Sequence, residues 1–313
     1  RIAPGCEYFG RCGGCQLQHT TPARQLELKR EILLETLRRT GGVQWQGEVT
    51  PHGADPWGYR NRIRVQAVPG IGVGYYEHAS RRVLPITRCP IASPALNGGL
   101  ETLTAVPPDS RQEIELSVNN RDEGLEADAP LEFAVAGFRY RVSPGAFFQV
   151  NRFLAPDLVA AVTAAPRGRR ALDLFSGVGL FALPLAHRFE QVEAIEQDPI
   201  AVEDLRVNAT AQPIRVEQAA ALEFLQHRDR QPLDLIVADP PRAGLGPQLA
   251  REIVAAAPQR VHLVSCDPAT LGRDLQFLLA GGYAVESMDL FDLFPQTAHI
   301  ETVVRLTRAK VLP

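Results

Sequence analysis

Apolar and polar residues alternate along this chain in two different rhythms. From Glu48 to about Tyr140 the period is two. Ile63, Val65 and Ala67 alternate with Arg62, Arg64 and Gln66, and Ile114, Leu116 and Val118 with Glu113, Glu115 and Ser117, before the turn NNRDEG. This period predicts a small antiparallel, β-rich module. After Phe153, short apolar runs such as ALDLF, VEAIE, LDLIVAD and RVHLVS are spaced by helical stretches. Strands separated by helices predict a mostly parallel sheet covered on both faces. The last two runs, YAVESMDLF and IETVVRL, follow each other with no helix between, which predicts an antiparallel edge.

Ahead of both regions, Thr21-Pro22 reads as N-cap and first helical position. Leu26, Leu33 and Leu37 then share one helix face, and Gly41-Gly42 ends it. The first twenty residues are Cys- and Gly-rich and read as a loop held by a ligand. The chain therefore divides into three parts: a cysteine loop and helix over 1–47, a β-rich module over 48–152, and an α/β domain over 153–313.

The segment ALDLFSGVGLFALPLA runs strand, Gly-rich turn, helix, with the helix expected from Leu180. Gly177 and Gly179 permit a sharp turn and close approach of a ligand. Glu196 ends the next strand, where a carboxylate can accept both hydroxyls of a ribose. The pattern also fits the loose dinucleotide motif G-x-G-x-x-G/A. Asp173, which ends the first strand, decides between the two. It suits the charged amino group of S-adenosylmethionine (SAM) and would repel a pyrophosphate. The expected fold is a Rossmann-like SAM-dependent methyltransferase domain with a mixed, mostly parallel seven-stranded sheet.

Composition narrows the setting. The chain has 313 residues, 45% of them apolar, and a formal net charge of −3. That balance argues against a general polyanion binder, so nucleic-acid binding would need a local basic face. YRNRIRV, SRRVLPITR and RGRR are candidates. No window reaches the ~18 uncharged apolar residues of a membrane helix, and no signal-peptide pattern opens the chain, so the cytoplasm is expected. Nothing in the pattern demands more than a monomer.

Five cysteines suit metal binding or catalysis in such a compartment better than a disulfide framework. Cys6, Cys12 and Cys15 are spaced C-x5-C-x2-C, and Cys89, before Pro90, can complete four thiolates. Zinc and iron–sulfur clusters both accept four cysteines. A single C-x2-C knuckle with two outlying ligands favours [4Fe–4S].

The fifth, Cys266, ends a strand in LVSCDPATLGRD, and Asp239 ends another in DLIVADPPRAGL. Sites in open α/β sheets form outside the carboxyl ends of strands, so Asp173, Glu196, Asp239 and Cys266 are expected on one rim. A cysteine beside a methyl donor points to a particular chemistry. Thiolate addition at C6 of uracil makes C5 nucleophilic enough to take a methyl group. A base must then remove the C5 proton. Glu301, in AHIETVV beside His299, is either that base or a surface acid at a strand end.

Taken together, CGGCQLQH, YRNRI, GAFFQVN, DLFSGVG, DPPRAGL, SCDPATLGRD and HIE resemble the RNA uracil-5 methyltransferases, which make 5-methyluridine in transfer and ribosomal RNA. The resemblance covers nearly the whole chain. It implies a [4Fe–4S] cluster on Cys6, Cys12, Cys15 and Cys89, and SAM contacts from Gln149, Phe175, Glu196 and Asp239. It implies Cys266 as nucleophile and Glu301 as general base. Gln149 and Phe175 rest on the resemblance alone. The cysteine loop points to 23S ribosomal RNA, with transfer RNA as the alternative. Many ribosomal-RNA members carry a small RNA-binding barrel, TRAM, before that loop; this chain opens at Arg1 with the loop itself, so the barrel is expected to be absent or lost upstream. Arg60, Arg62 and Arg64 in the β module are the candidate RNA face. Rival readings are an RNA cytosine-5 methyltransferase, disfavoured because DPPR carries no second rim cysteine, an NAD-linked dehydrogenase, and a non-catalytic iron–sulfur RNA-binding protein.

Overall fold

A computed structural model describes residues 1–125, 129–229 and 231–309. In chain order its elements begin with α1 (Pro22–Gly41), β1 (Val49–His52), β2 (Arg62–Val68), β3 (Gly72–Tyr76), β4 (Val83–Pro85), α2 (Pro94–Thr104), β5 (Gln112–Ser117), β6 (Leu131–Val135) and β7 (Phe138–Val142). The α/β part follows with α3 (Ala155–Val162), β8 (Gly168–Leu174), α4 (Ala182–Ala186), β9 (Phe189–Glu196), α5 (Pro199–Asn208), β10 (Ile214–Gln218) and α6 (Ala221–His227). It ends with β11 (Leu235–Ala238), α7 (Gly246–Ala256), β12 (Arg260–Ser265), α8 (Pro268–Ala280), β13 (Tyr283–Phe291) and β14 (Glu301–Arg308).

The large sheet has the order β1-β13-β14-β12-β11-β8-β9-β10. All neighbours are parallel except β14, which runs against both β12 and β13. The expected antiparallel pair is present, but β14 is inserted within the sheet rather than placed at its edge. The sheet has eight strands instead of the expected seven, because β1 pairs in parallel with β13. Its sequence VTPH carries no alternation, and Pro51 is tolerated because β1 is an edge strand. The pair is fixed by side chains: the His52 and Phe291 rings stack at 4.1 Å, and His52 Nε2 lies 2.9 Å from Asp289 Oδ1.

Both faces of this sheet are covered, so its central strands are apolar throughout. Leu172, Ile236 and Leu263 point to one core, shared with α1, α6, α7 and α8. Ala171, Val237 and Val264 point to the other, shared with α3, α4, α5 and the β6–β7 hairpin. The sheet β4-β3-β2-β5 encloses a third core with α2. Among the described residues no helix is long and apolar enough to cross a membrane.

Helix α1 starts as its sequence predicts: the Thr21 side chain accepts from Arg24 N, Pro22 opens the helix, and Gly42 closes it at φ 60°. Its buried stripe differs from the expected leucine face. Gln25, Lys29, Leu33 and Leu37 are the buried residues, whereas Leu26 is only half-buried. At its C-terminal end α1 crosses α8 so closely that a Cβ on Gly41 would lie 2.5 Å from the Gly272 carbonyl oxygen. Backbone cannot yield as a flexible side chain can. Gly41→Ala is therefore expected to destabilise the fold by about 1–3 kcal/mol through overpacking, read as a lower midpoint in urea unfolding. An unchanged midpoint would show that the helices part without cost.

Candidate active site

The sheet topology assembles the site. Asp173 is the penultimate residue of β8, Glu196 ends β9, Asp239 follows β11 and Cys266 follows β12, all at one rim. Because β14 runs the opposite way, its first residue lies at that same rim. Ser265 stands opposite Thr302, so the register brings the next residue, Cys266, beside Glu301. The structure thus gathers the predicted nucleophile, the predicted base and three of the predicted cofactor acids.

Backbone conformation at the Gly-rich turn is demanding. Phe175 adopts φ 65°, which for a side-chain-bearing residue stores about 1–3 kcal/mol. Gly177 and Gly179 have φ 53° and 98°, and a Cβ on Gly179 would press on Leu183 and Leu205 at 2.8 and 2.7 Å. Glu196 ties the turn down: Oε2 accepts from Gly177 N at 2.8 Å, and Oε1 from Gln197 N and Asp198 N at 2.7 and 2.8 Å. Oε2 retains a lone pair for a further donor, whereas Oε1 already accepts two. The helix expected from Leu180 begins at Ala182 and is five residues long. Within the turn, Ser176 N, Gly177 N and Gly179 N are already bonded, to Ile195 O, Glu196 Oε2 and Ser176 O.

Two clefts share Phe175. One, of about 410 Å³, is lined by Gln197, Ala220, Leu222, Pro241 and Leu245. The other is lined by Phe147, Gln149, Gly177 and Asp239. Asp173 is fully buried, and neither of its carboxylate oxygens has a hydrogen-bond partner. Burial, then the nearby Asp239, pushes its pKa well above the usual carboxylate range. An orphaned acid of this kind fits a ligand that brings its own cation, as SAM does with its ammonium and sulfonium groups.

The reacting end is also short of positive charge. Burial raises the Cys266 thiol, and Glu301 and Asp239 raise it further, while Arg242 opposes them. Glu301 is itself held well above its ordinary range by burial and by Asp239. Arg242 donates to His299 Nδ1 at 2.8 Å, so that nitrogen is unprotonated. Burial, with Arg242 next, keeps the imidazole pKa below its ordinary value. Arg242 belongs to the DPPR motif, but the motif alone gave it no role; its signal is that it is the cation facing both Cys266 and Glu301.

Away from the rim, Cys6, Cys12, Cys15 and Cys89 line one cavity of about 270 Å³. The loop that carries the first three is pinned on β3, with Gly13 N donating to Tyr76 O and His78 N to Arg11 O. Asn97 fixes Cys89 by accepting from its N–H at 2.8 Å and donating to its carbonyl at 3.1 Å. Among the described residues no three His, Cys, Asp or Glu side chains converge as a single-ion site requires. A lone zinc draws four sulfurs to ~2.3 Å from one point, whereas a cluster takes one thiolate per iron. Four cysteines around one cavity make a thiolate-only donor set, which zinc and iron–sulfur clusters both accept. Burial raises the Cys12, Cys15 and Cys89 thiols, Cys15 to about 12, so metal binding there would displace protons.

The expected RNA-facing arginines are less available than their sequence implies. Arg64 pairs with Glu115 at 2.8 Å and Glu113 at 3.2 Å, and Arg62 with Glu115 at 3.5 Å, because the register of β2 with β5 sets Arg64 opposite Glu115 and the other two pairs on its diagonals. The Arg60 guanidinium instead lies 5.8 Å from the Phe294 ring centroid.

Comparison with known proteins places these features in context. A family model described as tRNA (Uracil-5-)-methyltransferase matches residues 110–309. The chain is 33% identical to a 23S rRNA (uracil(1939)-C(5))-methyltransferase from Alkalilimnicola ehrlichii, over 98% of this chain and 83% of that protein. It is 35% identical to an uncharacterized RNA methyltransferase from Streptomyces avermitilis, over 99% of this chain and 84% of the relative. Among solved structures it resembles the Pyrococcus abyssi tRNA (uracil-54, C5)-methyltransferase in complex with S-adenosyl-L-homocysteine. That likeness has TM-score 0.75 and 25% identity, covering 95% of this chain and 86% of that one.

The crowded acids have a consequence for stability. Burial raises Asp239 from 3.8 to about 7. A carboxyl whose folded pKa is raised contributes stability that is present below its unfolded pKa and lost as pH rises through the folded value. Asp239→Asn cannot ionise, so its melting temperature relative to the parent is expected to climb between pH 4 and pH 8. A difference that stays constant over that range would contradict the burial of an ionisable Asp239.

Proposed function

The chain belongs to the RNA (uracil-5-)-methyltransferase family and is a SAM-dependent RNA uracil-5 methyltransferase; on that premise we propose that it acts on 23S ribosomal RNA, with Cys266 as nucleophile and Glu301 as base. The 33% identity with the A. ehrlichii enzyme over 98% of the chain supports the choice of RNA. The P. abyssi likeness keeps transfer RNA as the second reading. Five unpaired cysteines favour a reducing, cytoplasmic setting, and a monomer suffices for the site.

Bound SAM supplies an electrophilic methyl group on a sulfonium. Asp173, Gln149, Phe175, Gly177, Gly179, Glu196 and Asp239 would hold it. Cys266 gives its proton to solvent, and the Sγ lone pair of the thiolate forms a bond to C6 of the target uracil. The displaced C5=C6 pair takes the methyl group at C5, and the sulfonium sulfur keeps the electrons of the broken bond. Glu301 then accepts the C5 proton. The C5–H pair restores the double bond, and the C6–S pair returns to Cys266. A base with a raised pKa is a stronger proton acceptor once ionised, which suits Glu301. Arg242 is placed to favour the Cys266 thiolate.

The four cysteines of the N-terminal cavity are proposed to hold a [4Fe–4S] cluster. The β module, with Arg60 over the Phe294 ring, is proposed as part of the RNA-binding surface.

RNA transcribed with [5-³H]uridine tests the chemistry. Tritium release is expected only with SAM, from 23S ribosomal RNA and not from transfer RNA, and Cys266→Ala should reduce it on the order of 10³-fold or more. Release from transfer RNA alone would reassign the substrate, and methyl transfer without release would refute attack at C5. For the second site, anaerobic reconstitution is expected to load iron and sulfide in equal amounts with visible absorbance, and Cys89→Ala to lose both. Stoichiometric zinc with no sulfide would overturn the cluster.

A further inference from the structure

Glu301 follows a loop, residues 292–300, that carries little regular structure and crosses the rim. Its polar groups are held from the far end of the chain. Gln25 Nε2 donates to Gln296 Oε1 at 2.9 Å, and Gln296 N donates back to Gln25 Oε1 at 2.9 Å. Gln16 N and Leu17 N both donate to Gln296 O at 2.9 Å. Lys29 Nζ donates to Asp292 Oδ1 at 2.6 Å and to Phe294 O at 3.1 Å. Gln25 and Lys29 are fully buried, and Gln296 is buried at φ 69°, a left-handed conformation that a glutamine adopts only when its surroundings impose it. Two polar residues on the core stripe of a helix are costly unless they are paired. Both partners of Lys29 and the two-way amide pair of Gln25 lie in the segment that delivers His299 and Glu301, while Gln25 Nε2 also reaches Leu17 O and Thr20 O at 3.1 Å.

We propose that Gln25, supported by Lys29, is a positioning residue for the reaction, holding the 292–300 loop so that Glu301 reaches the C5 proton. The inference rests on the assignment of Glu301 as base. It predicts a selective defect. Attack by Cys266 and methylation of C5 use the β12 rim, the cofactor cleft and Arg242, which follows β11 and is not part of the loop, although it donates to His299 within it. Release of product requires the C5 proton to pass to Glu301, the double bond to reform and the C6–S bond to break. A displaced loop should therefore trap the methylated RNA on Cys266.

The experiment uses the full-length enzyme, substrate RNA and methyl-labelled SAM, and reads labelled, denaturation-resistant enzyme–RNA adduct alongside turnover. Gln25→Ala is expected to lower turnover about 10- to 100-fold, the scale of a misplaced catalytic group, while adduct accumulates as it does in Glu301→Gln. If Gln25→Ala does not fold, Gln296→Gly serves instead: glycine accepts φ 69° without strain and removes one partner of the amide pair. A purely structural role would lower adduct and turnover in proportion to folded protein, and that result would overturn the proposal. Accumulation in Glu301→Gln without accumulation in either brace variant refutes the brace and leaves the base assignment standing. No accumulation in Glu301→Gln refutes both.

Discussion

Strand β14 runs against both of its neighbours, so its first residue rather than its last lies at the rim where a parallel sheet builds its sites. Cys266 arrives there at the end of β12, and Glu301 arrives at the start of β14. A parallel β14 would place Glu301 at the opposite end of the sheet, far from any base bound at Cys266. The reversal leaves the chain to return over the rim between Phe291 and Glu301. That return loop must be held without strand pairing, and its cost falls on side chains contributed by distant segments.

The electrostatics of the rim point the same way. Asp173, Asp239 and Glu301 are crowded into a place of low polarity, each with its pKa raised, and Asp173 has no hydrogen-bond partner. Such a constellation destabilises the ligand-free protein. It is reasonable only where a cationic ligand completes it, and a sulfonium donor with an ammonium group does so. The left-handed Phe175 at the junction of the two clefts is a second concession at the same site. An unpaired buried acid and a strained phenylalanine meeting at one rim mark it as a functional edge.

Much of this was legible in the sequence, because the residues concerned act locally. Gly177 and Gly179 are needed for turn conformations that depend on their own φ, Asp239 and Cys266 end apolar runs, and four cysteines declare themselves by residue type. What escaped reading depends on partners remote in sequence. Leu26, Leu33 and Leu37 gave the helix face by hydrophobicity, but the packed stripe is Gln25, Lys29, Leu33 and Leu37. Gln25 and Lys29 are buried because Gln296 and Asp292, more than 260 residues away, satisfy them. Arg62 and Arg64 alternated as expected, yet only the register of β2 with β5 shows that Glu113 and Glu115 neutralise them. Strand β1 had no periodic signal at all, being too short and recruited by the edge of β13.

The same remoteness gives the cysteine loop a physical purpose. Of its first twenty residues only Gln18 is buried, and none lies in a regular strand or helix. Ordering a residue costs about 1–2 kcal/mol of backbone entropy, and this loop buries too little apolar surface to offset that cost. Its hydrogen bonds to β3 are few. Yet Gln16 and Leu17, which directly follow Cys15, must stay ordered to hold Gln296. Ligation of Cys6, Cys12, Cys15 and Cys89 to one inorganic centre would supply the missing constraint, tying the loop to the β module while Gln16 and Leu17 tie it to the catalytic rim. On this view the proposed cluster acts as a clamp, and its effect on catalysis runs through the backbone of the two residues after Cys15.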